Sequence, residues 1–137
     1  MSVINNFKND YDFLSNFYPC QIEYHGLVYD NVECAFQAQK CLERSNEFCH
    51  LLPVQAKHLG KQVKLRSDWE DIKLDLMKEL LMIKFSNPKL KEKLLATGDA
   101  ELIEGNNWRD YYWGMYNNKG QNHLGRLLMQ VREVYKC

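Results

Sequence analysis

Nothing in the sequence is apolar for long enough to cross a bilayer. Nearly apolar runs such as Leu80–Ile83 last only a few residues, where a spanning helix needs about 20. Charge of one sign is lacking too: eighteen basic residues balance eighteen acidic ones. That balance argues against a disordered polyelectrolyte, a histone-like coat and a polybasic membrane anchor. Nucleic acid stays open as a partner, provided it is gripped locally and not by a global field. Proline (three) and glycine (seven) are sparse and unclustered, and no linker, repeat or low-complexity tract stands out. The five cysteines, at 20, 34, 41, 49 and 137, form no CxxC pair, and their odd number points to reduced thiols in a cytosol-like compartment. The four histidines have no finger-like spacing, so no metal is expected. Met1–Lys8 has no basic region followed by an apolar core, so the expected location is cytoplasmic. GxGxxG, GxxxxGK[ST] and GxSxG are all missing, which removes the dinucleotide, P-loop and hydrolase-elbow signatures.

What is present fits one domain over residues 1–137, with 45% hydrophobic residues to build a core. Val3–Phe7 reads as a short strand and Phe13–Pro19 as an aromatic-rich loop. Gln21–Tyr24 and Leu27–Tyr29 read as strands joined by a turn at His25-Gly26. From Asn31, a plausible N-cap, the period becomes helical to Arg44, with Val32, Ala35, Phe36, Ala38 and Leu42 on the apolar side. Further helices are predicted from Pro53 to Gly60, from Asp68 to Phe85 with a core stripe at 72, 76, 80 and 83, and from Pro88 to before Thr97. A strand at Glu101–Glu104, a loop and strand over Asn106–Gly114, and an amphipathic helix carrying Leu124, Leu127, Leu128, Val131 and Val134 complete the chain. The fold class is α+β: a single compact, helix-dominated domain with four or five short strands.

Two segments carry residue types suited to chemistry. On the helix predicted over 31–44, Glu33, Gln37, Lys40 and Arg44 recur at helical spacing and share a face. Glu33 and Lys40 then lie roughly 10 Å apart along the axis, too far for an i,i+4 pair but suited to a ligand lying between a carboxyl and an amine. The same spacing fits a solvated polar stripe. Asn106–Gly114 holds Trp108, Tyr111, Tyr112 and Trp113 beside amides and Asp110, the makings of a flat-ligand wall. A carboxyl packed among rings is also the setting in which a side chain becomes a general acid near neutrality. The alternative is that the rings are core and Asp110 closes a turn. Ser15 and Asn16, between aromatics, are placed to hydrogen-bond a ligand. Lys57, His58, Lys61, Lys64 and Arg66 could hold phosphates or simply face water.

Taken in order, several strings resemble the NADAR family: Phe13-Leu-Ser-Asn-Phe17, Val32-Glu-Cys-Ala-Phe-Gln-Ala-Gln-Lys40, Leu65-Arg-Ser-Asp-Trp69, Lys84-Phe85, Leu95-Ala-Thr-Gly98, Leu102-Ile-Glu104, Asp110-Tyr-Tyr-Trp-Gly114 and Asn122-His-Leu-Gly-Arg-Leu-Leu-Met129. The likeness covers nearly the whole chain. One departure is Cys34, which stands where the resemblance leads one to expect His after the Glu.

The resemblance implies an N-glycosidase that cuts a bond between a ribose carbon and a nitrogen without a cofactor. Two substrate classes come with it: ADP-ribose on a guanine base of nucleic acid, or a phosphorylated ribosylamino-pyrimidine intermediate of riboflavin synthesis. It implies Lys40, Glu33 and Asp110 as catalytic residues, with Lys40 as a nucleophile that forms a Schiff base with the sugar. Trp69 would stack on a base, and Trp113, Asn16, Ser15 and Gln37 would line the pocket. The expected partners are ADP-ribosylated nucleic acid or a small phosphoribosyl compound, with a toxin-like ADP-ribosyltransferase as counterpart, no membrane and a monomeric enzyme. The rival reading is a module that binds ADP-ribose without cutting it.

Overall fold

A computed structural model describes residues 2–137. Its residues gather into two compact units, one made of the segment up to Ser15 together with Phe85–Cys137, the other of Asn16–Lys84. The architecture is α+β and helix-rich, with four short strands among the described residues.

The contiguous unit opens with the antiparallel pair β2 (Ile22–Tyr24) and β3 (Leu27–Tyr29). Both residues of the predicted turn, His25 and Gly26, take positive φ, as a tight two-residue hairpin requires. Helix α1 (Val32–Ala38) follows, and its N-cap Asn31 accepts a hydrogen bond from the Cys34 amide at 2.8 Å. All seven residues of α1 are buried. A helix covered on every side is a core element, so its two polar residues, Glu33 and Gln37, are carried inside and do not form a solvated stripe.

Helix α1 ends at Ala38, six residues earlier than the periodicity predicts. Lys40 lies in the turn that follows, and Leu42–Phe48 forms a 3-10 segment. The stop comes from distant parts of the chain. The Arg66 amide donates to the Lys40 carbonyl at 3.1 Å, and its guanidinium donates to the Gln39 carbonyl. These bonds occupy carbonyls that another helical turn would need.

Helices α2 (Pro53–Gln62) and α3 (Trp69–Lys84) complete this unit. Pro53 starts α2 as predicted, a first-turn position where its missing N–H is harmless. The buried side of α3 is Trp69, Leu76, Met77, Leu80, Leu81 and Lys84, rotated from the predicted stripe so that Ile72 and Ile83 sit at its margin. Each fully buried leucine or methionine contributes roughly 1.5–3 kcal/mol.

The discontinuous unit pairs β1 (Val3–Ile4) in parallel with β4 (Glu101–Leu102). It adds a 3-10 turn over Asn9–Leu14, α4 (Pro88–Ala96) and α5 (His123–Lys136). Gly125 lets α5 lie against β4, because a Cβ there would strike the Leu102 carbonyl and the Asn122 side chain. Asn122 clamps the same strand: it accepts from the Glu104 amide and donates to the Leu102 carbonyl, both at 3.0 Å. Leu124, Leu127, Leu128 and Val131 are buried as predicted, whereas Val134 is 48% exposed at the last turn of α5. The strand expected within Asn106–Gly114 is not formed. That segment is a loop, with isolated bridges only at Gly105–Met115 and Tyr116–Lys119.

Candidate functional site

In the contiguous unit the site is built on α1. The first turn of α1 is fixed by Asn31 and by the Glu33 amide, which donates to the Asn16 carbonyl at 3.1 Å. This aims the Glu33 side chain into the interior, where it is 9% exposed. One turn on, Gln37 Nε2 donates to Glu33 Oε2 at 2.7 Å. Gln37 Oε1 and Asn16 Oδ1 are buried carbonyl oxygens that meet no donor. Asn16 instead turns its Nδ2 toward the Met77 sulfur at 3.5 Å. Both amides were expected to line a ligand pocket, and both are found inside the protein.

Lys40 follows on the turn after α1. Its Nζ lies 5.6 Å from the centre of the Trp69 ring. The Leu65–Trp69 string explains this placement: Arg66 anchors to the carbonyls of Gln39 and Lys40 and forms a two-pronged pair with Asp68 at 2.6 and 3.1 Å, and α3 then begins at Trp69. Burial pushes the Lys40 amine below the ordinary lysine range, and neighbouring Lys61 and Lys73 push the same way, while Glu33 and Glu70 oppose the shift. A lysine so placed is neutral at a lower pH than an exposed one and is a better nucleophile.

Trp69 itself is 5% exposed and packs on Phe36 with ring centres 4.9 Å apart. The same ring backs the Lys40 amine. Arg44, expected on the Glu33 face, instead pairs with Glu47 on the 3-10 segment. In the basic cluster, Arg66 is committed to Asp68 and Lys57 lies over the Phe17 ring. Cys34 is fully buried and sends its thiol to the Leu51 carbonyl at 3.0 Å. Burial pushes that thiol up to about 11, so residue 34 is inert here and gives Glu33 no hydrogen bond of the kind a His could.

In the discontinuous unit the chemistry sits on the loop before α5. Asp110 Oδ1 accepts from the amides of Tyr112 and Trp113 at 3.0 and 2.9 Å. The carbonyls of these same two residues receive the amides of His123 and Leu124 at the start of α5, satisfying donors that a helix N-terminus leaves open. Asn106 holds the loop from inside, accepting from the amides of Trp108 and Asp110 and donating to Asp110 O and Glu104 Oε2. Trp113 is partly buried, edge-on to Tyr112 with ring centres 4.9 Å apart. Ser15 is likewise partly buried, just past the Asn9–Leu14 turn.

The sequence reading overlooked Asn106, Glu104 and Gly60. Asn106 sits four residues before the acid it holds, a spacing that many loops share. Gly114 carries the one signal that could have exposed Glu104, since a Cβ there would strike the Glu104 carboxylate and carbonyl. Among the described residues no group of three or more His, Cys, Asp or Glu side chains is gathered closely enough to hold a metal ion. No helix among them is long and apolar enough to cross a membrane.

This chain is 38% identical over 134 residues to a riboflavin biosynthesis protein of Vibrio vulnificus, covering 90% of this chain but 35% of that protein. It is 37% identical over 141 residues to the N-glycosidase YbiA of Escherichia coli, covering 96% of this chain and 88% of that enzyme. The NMR structure of Escherichia coli YbiA superposes with a TM-score of 0.86 at 35% identity, over 98% of this chain and 85% of that one. The model of the NADAR domain matches residues 4–136, a span that takes in both Lys40 with its buried carboxylate and the Asp110 loop: the chain belongs to the NADAR family.

Proposed function

We propose that this protein is an N-glycosidase that hydrolyses a ribose C1–nitrogen bond, and that its substrate is ADP-ribose attached to guanine in nucleic acid. The observation that carries the reading is Lys40: an amine kept below its ordinary proton affinity by burial, set over the Trp69 ring, with the buried Glu33 carboxyl on the preceding helix. A module that only held ADP-ribose would gain most from a fully charged amine against the diphosphate. A partly desolvated one serves nucleophilic attack. Relatives of this chain are named N-glycosidases.

In this mechanism neutral Lys40 adds through Nζ to the anomeric carbon. The base nitrogen takes a proton and leaves, and the sugar opens to an imine between Nζ and C1. Water adds to C1, the lysine leaves, and the sugar ring closes again. The net change is one water consumed, with sugar and free base released. Glu33 accepts the lysine proton and steadies the positive charge that develops at C1. Asp110 is the second carboxyl. Its Oδ1 is occupied by two amides, which leaves Oδ2 as the atom that exchanges a proton with the leaving base nitrogen. Trp113 and Ser15 are the pocket residues of this reading, and residues 1–137 are read as one N-glycosidase domain.

The Vibrio vulnificus relative, named for riboflavin biosynthesis, favours a second reading in which the substrate is a phosphorylated ribosylamino-pyrimidine. The ADP-ribose reading brings a cytoplasmic monomer and an ADP-ribosyltransferase as its counterpart. One experiment compares them: incubation, side by side, with a guanine-ADP-ribosylated oligonucleotide and with the pyrimidine intermediate, following release of the free sugar. Turnover of the oligonucleotide alone is expected. Turnover of the pyrimidine alone selects the second reading, and binding of ADP-ribose with turnover of neither rejects both. Borohydride should trap a Lys40–sugar adduct during turnover, and its absence removes the covalent step.

A further inference from the structure

We propose that Gln37 is a positioning residue that holds Glu33 as a fixed, ionised carboxylate, and that residue 60 is glycine so that the Gln37 amide can take this pose. The inference rests on the reading of Glu33 as the proton acceptor of the reaction.

The Gln37 side chain meets Glu33 through its NH2 group, 2.7 Å from Glu33 Oε2, with both residues buried. A hydrogen bond donated to a carboxyl oxygen stabilises the charged form more than the neutral one, so this contact favours the carboxylate. The amide oxygen, which could accept from a protonated Glu33, is turned away and meets no donor. It faces α2, where a Cβ on Gly60 would strike Gln37 Oε1 and come within 2.9 Å of Gln37 Cδ. Exchanging the amide oxygen and nitrogen would leave a buried N–H group facing Gly60. Buried orphan N–H groups are rarer than under-used carbonyls. The pose thus favours ionised Glu33, and a Cβ at 60 would crowd the amide that holds it. Glu33 therefore begins the reaction ready to take the proton from Lys40 rather than to give one to the leaving base.

Other charges act on the same corner. Lys61 on α2 and Glu70 and Lys73 on α3 act on Lys40, and Asp30 after β3 acts on Cys34. On the 3-10 segment Arg44 and Glu47 pair with each other, and the Tyr24 hydroxyl of β2 is directed to Glu79.

The test follows Glu33 directly. In protein labelled with [13C]glutamate, with the Glu33 carboxyl signal assigned by its loss in Glu33→Gln, the Gln37 side-chain amide protons should titrate in the unmodified chain with the same midpoint as that carboxyl. Gln37→Met, nearly isosteric, should raise the midpoint by about one pH unit, and Gly60→Ala should shift it the same way with no further shift in the double variant. With the guanine-ADP-ribosylated oligonucleotide as probe, Gln37→Met should lower kcat by about tenfold with KM nearly unchanged, and the acid limb of kcat/KM should move up with the carboxyl midpoint. A midpoint that moves by less than about 0.3 unit in Gln37→Met, or amide protons that do not follow the carboxyl in the unmodified chain, overturns the proposal. The amide titration needs no variant, so a Gln37→Met chain that fails to fold leaves the test standing. If the midpoints move as expected but the unmodified protein cleaves no N-glycosidic bond, it is the proposed function that fails.

Discussion

Arg66 and Asp68 form a two-pronged pair, at 2.6 and 3.1 Å, directly before the tryptophan that carries Lys40 on its ring. The pair lies near the surface, and isolated surface ion pairs contribute little to stability. Its consequence is local, because Arg66 also anchors the carbonyls of Gln39 and Lys40. Arg66→Met should lower kcat on the N-glycoside substrate by about tenfold while shifting Tm by only a few degrees. Wild-type kcat in that variant would show that the anchor does not position the amine. The Arg66 guanidinium holds the Asp68 carboxyl below its usual range. Any stability from the pair is therefore present above the ordinary carboxyl range and is lost as pH falls through the depressed value. A urea series from neutral to acid pH on wild type and Asp68→Asn should show the two converging only in acid.

Lys40 should differ from the other lysines in when it reacts. Burial lowers its proton affinity, so the neutral amine appears at lower pH, and an amine-directed acylating reagent should modify Lys40 ahead of exposed lysines as pH is raised from 7. Mass-spectrometric mapping of the first acylated residue checks this. Lys40→Ala should abolish turnover with the circular dichroism spectrum unchanged, and full activity in that variant would remove Lys40 from the chemistry.

Asp110 and Asn106 separate the chemistry of the loop from its architecture. Asp110→Asn keeps an acceptor for the amides of Tyr112 and Trp113 but cannot exchange a proton, so kcat should fall by about a hundredfold with little change in Tm. Asn106→Ala should act the other way round. It removes the side chain that both accepts from and donates to the loop, so Tm should fall, with a loss of about 1–3 kcal/mol. Equal effects of the two substitutions on Tm would contradict this division.

Cys34 should be the last of the five cysteines to react with a thiol reagent in the folded protein, and the exposed Cys137 the first. Restoring the family's expected residue should not help. Cys34 is fully buried against the Leu51 carbonyl, and an imidazole there overpacks the site. Cys34→His should destabilise by about 1–3 kcal/mol in urea unfolding and bring no gain in kcat.

Much of this fold was legible where local chemistry decides the outcome. Asn31 caps α1, Pro53 and Pro88 open α2 and α4, and His25-Gly26 turns the hairpin. The miss at α1 has a different origin. Leu42 continues the apolar period yet is 54% exposed, because the helix is stopped by Arg66, more than twenty residues further on. Periodicity records which residues could share a face and carries no trace of a distant guanidinium. The candidate site divides in the same way. Residue types and family strings pick out Glu33, Lys40 and Asp110. That Glu33 meets an amide from Gln37, or that Trp69 turns its ring to Lys40, depends on the packing of α2 and α3, which one sequence does not display.

The parallel pairing of Val3–Ile4 with Glu101–Leu102 bears on how the molecule is made. These neighbours are separated by almost a hundred positions, so the pairing carries the entropy of closing a long loop, and contacts of such range slow the search for the native state. The Asn16–Lys84 segment contains both partners of its own hairpin and all three of its helices, and can condense while synthesis continues. Val3 has no strand to join until Glu101 exists. Of these two strands the one made first thus waits for its mate, and conditions that hurry or stall translation between them should be felt there first.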